Sequence, residues 1–419
     1  MRRLRRLGLP FAAQAMLSLG QMGITLVGTA ALAPEAWGRL AVLLSVFFMA
    51  GGFVRGFGAL PVVIYLSGDA ERSRAARRAA VLLTLVAAAP ASIAIAVVGV
   101  VLGTAASGLA LALALVAYVL YDTTRSVEMS AVRYGRVVST DAVVMVVLAG
   151  LCVVGLAPGV DASMALPIAM TTAYGVGAAA LALRGRPTTS WSLRRFLDEY
   201  RRDIPFLALD GVLLGTTMSA VVIVLGASTS LSVAGAFRSC ATLVAGPFQM
   251  LQTGLSPIVI RSLRGRALEE QAAGQRGTGA APTSFRARMR SLAFPATIAA
   301  GAVLSGVLWG AVATAVAPVV LSTVHLTALS DAVPFSVVAC LLVSALWTST
   351  VFSTFQRYRR SNAELTTVRV ITLACSLGIL IVLPSDVAVP VRLVAATTPW
   401  LVLPALHAVL RWAPVSRRL

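Results

Sequence analysis

The sequence predicts an all-α polytopic membrane protein with about twelve transmembrane helices in two parallel six-helix repeats. Three observations lead there. Of the 419 residues, 58% are hydrophobic and only 12% charged, a balance far outside the range of soluble domains. The apolar residues fall into twelve successive runs, each long enough to cross the ~30 Å hydrocarbon core as a helix. Arginine clusters fill only every second gap between those runs.

The runs lie near 9–32, 38–66, 79–102, 106–121, 138–156, 164–183, 204–226, 232–260, 291–318, 333–356, 368–383 and 390–411. The first follows the basic start Met1–Arg6. It reads as an uncleaved span, because no small-residue cleavage site leads into a soluble domain. Gap Pro34–Trp37 has no arginine, and the next holds Arg72, Arg74, Arg77 and Arg78. Gly103–Gly108 is empty, then come Arg125, Arg133 and Arg136. Pro158–Ala162, Gly226–Leu231 and Val319–Val333 are empty in turn, while 184–203, 261–290 and Arg357–Arg360 are basic. Basic loops resist translocation, so both termini and all the basic segments are expected in the cytoplasm. Arg39, Arg55, Arg238 and Arg392 stand outside the alternation.

The expected organisation is an N-terminal six-helix lobe over 1–183, a cytoplasmic amphipathic linker over 184–203, and a C-terminal six-helix lobe over 204–419. In the linker, Trp191, Phe196, Leu197 and Tyr200 are available to rest on lipid headgroups. The loop 261–290 contains the small, polar run Ala272–Ser284 and reads as a flexible tether. Local text recurs in order between the lobes. Pro10-Phe11 is answered by Pro205-Phe206, GALPVVI at Gly58–Ile64 by GLSPIVI at Gly254–Ile260, and Arg133–Arg136 by Arg357–Arg360. Six spans return the chain to its starting side, so the repeats are parallel, a plan that places substrate between the halves.

Several function classes are excluded. All 35 basic residues are arginine, which removes the lysine needed by a P-loop, a Schiff base or a Ser–Lys dyad. Cys152, Cys240, Cys340 and Cys375 sit far apart inside apolar runs, and His325 and His407 have no ligand spacing around them. The outer loops are too short for a catalytic domain. No enzyme activity, metal or cofactor is expected. The net charge of +19 is confined to loops, which favours contact with anionic membrane lipids over nucleic acid.

The candidate site residues are polar groups and helix breakers within the spans. Arg55, in GGFVRGFG, lies deepest; a buried arginine needs a wet cavity, a carboxylate or an anionic ligand. It is read as a substrate or gating residue, with a structural ion pair as the bland alternative. Arg238 and Arg39 sit nearer the outer side, as cavity cations or as side chains snorkelling to the interface. Asp210 is placed to pair with Arg55 or to carry a coupling proton. Asp122 and Arg125, three residues apart, read as an interfacial salt bridge. Gln14, Ser18, Gln21 and Thr25 form a polar stripe that serves as helix–helix glue or cavity lining. Gly58, Pro61, Gly246, Pro247, Gly254 and Pro257 are the expected kink or gating positions, Pro247 because it removes a backbone bond.

The stretch Gly235-Ala-Phe-Arg238, with Gly246-Pro247, Gly254 and Pro257 after it, resembles the eighth span of polysaccharide-type flippases. Glu35-Ala-Trp-Gly38, leading to Arg39 and Leu40, looks like their first outer turn, and the Arg-Tyr-Gly-Arg ending of the fourth span is of the same type. These flippases belong to the multidrug/oligosaccharidyl-lipid/polysaccharide (MOP) exporter superfamily. The resemblance implies a two-lobe transporter of a bacterial inner membrane that flips a polyprenyl-diphosphate-linked oligosaccharide by alternating access for cell-surface polysaccharide assembly. Its implied partners are the lipid-linked glycan and other polysaccharide assembly proteins. Arg55, Arg238 and Arg39 would then be the cations facing the diphosphate, which guanidinium holds through bidentate bonds. The chain departs from the pattern in having few cavity charges, no lysine and no thirteenth or fourteenth span.

Other readings remain open. A cation-coupled multidrug exporter of the same superfamily needs acidic residues in the cavity, and only Asp210 is well placed for that from the sequence. A major-facilitator transporter shares the twelve-span plan, but Gly68–Arg72 lacks that family's loop motif. A membrane glycan polymerase or ligase needs a sizeable outer loop, and 319–333 carries only His325 and Asp331.

Overall fold

The computed structural model describes residues 2–66, 69–183, 191–252, 255, 259, 262–263, 285–323, 327–357, 362–384 and 387–410. All regular structure among them is helical. The chain forms two compact units, Met1–Leu243 with His325–Asp331, and Val244–Val324 with Ala332–Leu419. The first contains α1 (Arg2–Ala31), α2 (Pro34–Arg55), α3 (Ala59–Tyr65), α4 (Ala70–Val101) and α5 (Ala105–Ser130). It continues with α6 (Tyr134–Val154), α7 (Ala162–Leu183), α8 (Leu193–Tyr200), α9 (Ile204–Ser228) and α10 (Leu231–Leu243). The second holds α11 (Ala245–Gln252), α12 (Phe285–Thr323), α13 (Ser336–Arg357), α14 (Asn362–Val382) and α15 (Val389–Leu410).

Among the described residues, ten helices are long and apolar enough to cross a bilayer, and two bent pairs raise the number to twelve if each is one span. The pairs are Ile204–Leu213 with Thr217–Ser228, and α10 with α11. Large aliphatic side chains stand exposed along the helices, among them Val86, Val146 and Val382, as a lipid-facing surface requires.

The second span is two helices. It breaks at Gly56–Gly58, where α2 ends and α3 begins. A Cβ at Gly58 would stand 2.5 Å from the Ala80 carbonyl oxygen of α4, so only glycine permits this approach. Beside the break α2 packs on α9: a Cβ at Gly52 would lie 2.5 Å from the Gly211 carbonyl oxygen, and one at Gly211 2.3 Å from that of Gly52. The first unit therefore runs past the linker and includes α9 and α10.

Three sequence expectations need correcting. The fourth span does not stop near 121; α5 continues to Ser130 because its charged residues find partners inside the unit. The ninth span begins at Phe285, so 285–290 are helix rather than tether; 264–284 lie outside the described residues. The linker's aromatic residues do not rest on headgroups. Trp191, Phe196 and Tyr200 are 6%, 0% and 4% exposed, packed on Val62, Leu66 and Ala76 at the ends of α3 and α4. The Trp191 amide donates to the Ala75 carbonyl at 2.8 Å, and the Arg72 and Arg195 guanidiniums lie 5.5 and 4.7 Å from the indole ring centre. Arg72 pairs with Glu199 at 2.6 Å, and Tyr200 stacks on Tyr65. Burial and the adjacent Glu199 hold the Tyr200 hydroxyl well above its ordinary pKa, so it stays protonated. Residues 184–190 lie outside the described residues.

Candidate functional site

The polar centre of the first unit is built on α5. Asp122, Arg125 and Glu128 follow at intervals of three residues, which sets them along one helix face, and they are 4%, 4% and 3% exposed. Arg55, at the end of α2, places its Nε 2.7 Å from Asp122 Oδ2. Those two atoms are not aligned for a hydrogen bond, so the contact is an ion pair. Arg125 reaches across to α6, with its Nε 3.1 and 3.2 Å from the two carboxylate oxygens of Asp141. The Tyr121 hydroxyl also donates to Asp141. Glu128 lies 3.9 Å from Arg133 and 4.0 Å from Arg136. The Thr84 and Thr123 hydroxyls bond at 3.1 Å between α4 and α5.

Two of these pairs differ in exposure. Arg125 and Asp141 are 5% and 0% exposed, a sealed pair. Asp122 is 6% exposed but the Arg55 side chain 39%, so this pair has one open side. Arg55 is thus paired with Asp122, where the sequence suggested Asp210, and the Asp122–Arg125 salt bridge is replaced by Arg55–Asp122 and Arg125–Asp141. The cause is the length of α5, which carries Asp122 to the depth of Arg55. Asp210 is buried on α9, at 4% exposure, beside the Gly52–Gly211 contact.

The three arginines expected to face substrate are not one cluster. Arg39 pairs with Glu35 at 2.8 Å on the exposed first turn of α2, at the rim of a 320 Å³ cavity that also touches Thr104 and Ser163. From Arg39 to Arg55 along α2 is about 24 Å at 1.5 Å per residue. Arg238 on α10 lies between them, its guanidinium 5.0 Å from the Phe48 ring centre. It is 9% exposed, its Nε makes no hydrogen bond, and it has no ion-pair partner among the described residues. Phe48 belongs to an aromatic group with Phe47, Tyr118, Tyr174 and Tyr121.

Two of the motifs behind the flippase resemblance, Glu35–Gly38 and Gly235–Arg238, pack on each other. The Trp37 indole N–H is shared between the Gly235 carbonyl at 3.1 Å and the Ser239 hydroxyl at 2.9 Å. Gly38 sits where a Cβ would stand 2.0 Å from the Leu231 carbonyl oxygen. Among the breakers, Pro61 is buried in α3, and Pro247 lies in α11, just after the break at Val244. A proline excludes the carbonyl four residues before it, here that of Leu243, and α10 ends there. Gly246 occupies the same turn; Gly254 and Pro257 lie outside the described residues. In the stripe on α1, Thr25 bonds the Gln21 carbonyl of its own helix at 3.0 Å.

Sequence reasoning passed over Asp141, Tyr121 and Glu128. Their signal was available: charged residues at intervals of three (Asp122, Arg125, Glu128) past the assumed end of the fourth run, and an aspartate within the fifth. In the second unit it also missed Arg369, 2% exposed, which with Ser349, Ser353 and His407 lines a 10 Å³ cavity. Arg392 has a structural role, donating to the Leu380 carbonyl at 2.7 Å in the last turn of α14.

No family model matches the sequence, and no curated protein matches it. Solved structures do. The eukaryotic MATE transporter AtDTX14 superposes with a TM-score of 0.64 at 14% identity, over 98% of this chain and 96% of that one. An inward-facing multidrug resistance MATE family transporter of the MOP superfamily gives 0.61 at 11% identity, over 95% and 92%. An outward-facing one gives 0.58 at 14%, over 96% of each chain. The fold is that of MATE transporters. Identity this low speaks for the fold alone.

Proposed function

We propose that this chain is a cation-coupled exporter of amphipathic organic molecules, working by alternating access on the MATE fold. The observation that carries this reading is the Arg55–Asp122 pair, a carboxylate at membrane depth neutralised by an arginine that keeps one open side. A proton, or a substrate cation, competes with the Arg55 guanidinium for Asp122. Breaking an ion pair in low dielectric is unfavourable unless the freed charge is compensated, so proton binding and substrate binding become linked at one carboxylate. The solved structures of like fold include multidrug resistance transporters, which supports the same reading. The proposed setting is a bacterial inner membrane with both termini in the cytoplasm, as the arginine alternation suggests.

A second reading, flipping of a polyprenyl-diphosphate-linked oligosaccharide, is favoured by one observation: Arg238 is a buried cation with a ring beside it but no carboxylate among the described residues. A diphosphate would supply that missing charge. Proteoliposomes separate the two. With an imposed proton gradient, the exporter reading expects transport of a cationic dye such as ethidium, reduced about tenfold or more in a folded Asp122→Asn protein. If no dye in a broad panel moves, while Arg238→Ala abolishes surface-glycan export in cells, the exporter reading fails and the flippase reading replaces it.

A further inference from the structure

Away from the ion pairs, the first unit carries a groove of 1020 Å³, with α5 as its floor and α4 and α7 as its walls. The α5 floor runs from Leu113 through Val116, Ala117 and Leu120 to Thr124, one helix face about 17 Å long at 1.5 Å per residue. That is about half the ~30 Å hydrocarbon core, the depth of a single leaflet. The α7 wall is low because it consists of Thr171, Gly175, Ala178, Ala179 and Ala182. Along the α4 rim Leu82 is 42% exposed, and Leu113 on the floor is 59% exposed, so none of the described residues covers the groove there.

Charge is confined to one end. Arg77 and Arg78 line the groove in the first turns of α4, and no acidic residue lines it among the described residues. Arg77 donates to the Leu181 carbonyl at 3.0 Å, bridging α4 to the last turn of α7 across the groove mouth. Arg78 is exposed and has no ion-pair partner among the described residues. An apolar trough one leaflet deep, headed by two guanidiniums, matches a lipid with an acyl chain and an anionic headgroup.

We propose that this groove is a binding site for an anionic glycerophospholipid of the leaflet on the arginine-rich side. The acyl chain lies along Leu113–Leu120 and the phosphate sits between Arg77 and Arg78. The site is separate from the Arg55–Asp122 pair and independent of what the protein carries.

The test titrates the purified full-length protein in detergent with phosphatidylglycerol or phosphatidylcholine and reads bound lipid by native mass spectrometry. The expected result is one retained phosphatidylglycerol per chain, held about tenfold more tightly than phosphatidylcholine. Arg78→Gln should erase that preference. Arg74→Gln should keep it, because Arg74 bonds the Ala70 carbonyl of its own helix and does not line the groove. Gly175→Phe should expel the lipid from a folded protein, since nothing lies within 4 Å of a Cβ there and the ring enters only groove space. Should that variant not fold, the Arg78→Gln comparison decides alone. Equal retention of both lipids by the unaltered protein, or a phosphatidylglycerol adduct surviving Gly175→Phe, overturns the proposal. A second copy of the chain released by Gly175→Phe would overturn it too, by assigning the face to a dimer.

Discussion

Arg125 and Asp141 meet with 5% and 0% of their side chains exposed, and Tyr121 completes the shell around the carboxylate. Removing one member leaves an uncompensated charge in low dielectric, whereas removing both leaves none. Arg125→Met alone should therefore destabilise the protein by about 3–5 kcal/mol, and Arg125→Met/Asp141→Asn should recover most of that loss. Thermal unfolding of the detergent-solubilised variants measures it. A double variant as unstable as the sum of the singles would mean the two side chains are not energetically coupled. Of this site the sequence revealed Arg55, because an arginine inside an apolar run is costly wherever its partner lies. The partner was not legible. Asp122 read as half of an interfacial salt bridge at the inner end of the fourth span, since hydropathy ends a span where charges cluster and cannot see that Arg55 compensates Asp122.

The contact of α2 with α9 is made by Gly52 and Gly211, each backed against the other's carbonyl. Gly211→Leu should separate the two helices and lower the melting temperature by several degrees, in line with overpacking costs of about 1–3 kcal/mol. Gly175→Ala is the control. Its Cβ meets nothing within 4 Å, and a helical alanine should leave stability unchanged or raise it by about 0.5–1 kcal/mol. If the two substitutions behave alike in a thermal melt, the close approach of α2 and α9 carries no energetic weight. The glycines around Arg55 were readable as a place of close approach or of a break, and the structure contains both: a break at Gly56–Gly58, and a contact at Gly52. The docking of α8 was not readable. Its amphipathic face fits a membrane surface and a protein surface equally well, and the ends of α3 and α4 decide between them.

For the whole molecule, the arginine alternation makes a topological prediction independent of the substrate. In a background without native cysteines, Ala157→Cys should react with a membrane-impermeant maleimide from outside intact cells. Ser192→Cys should react only after permeabilisation. Labelling of Ser192→Cys in intact cells would invert the chain in the membrane and remove the cytoplasmic assignment of the linker.

What the sequence determined by itself is the class: all-helical, up to twelve spans, repeated basic loops, and no lysine chemistry. Each of these follows from quantities that add up locally, namely the transfer free energy of about twenty consecutive side chains and the charge of the gap that follows. Tertiary structure alone decided which acid neutralises which arginine, where α5 ends, what the linker aromatics cover, and that a one-leaflet groove opens between α4 and α7. Those depend on distances between helices far apart in the chain. In low dielectric, a few ångströms separate a compensated charge from a prohibitive one.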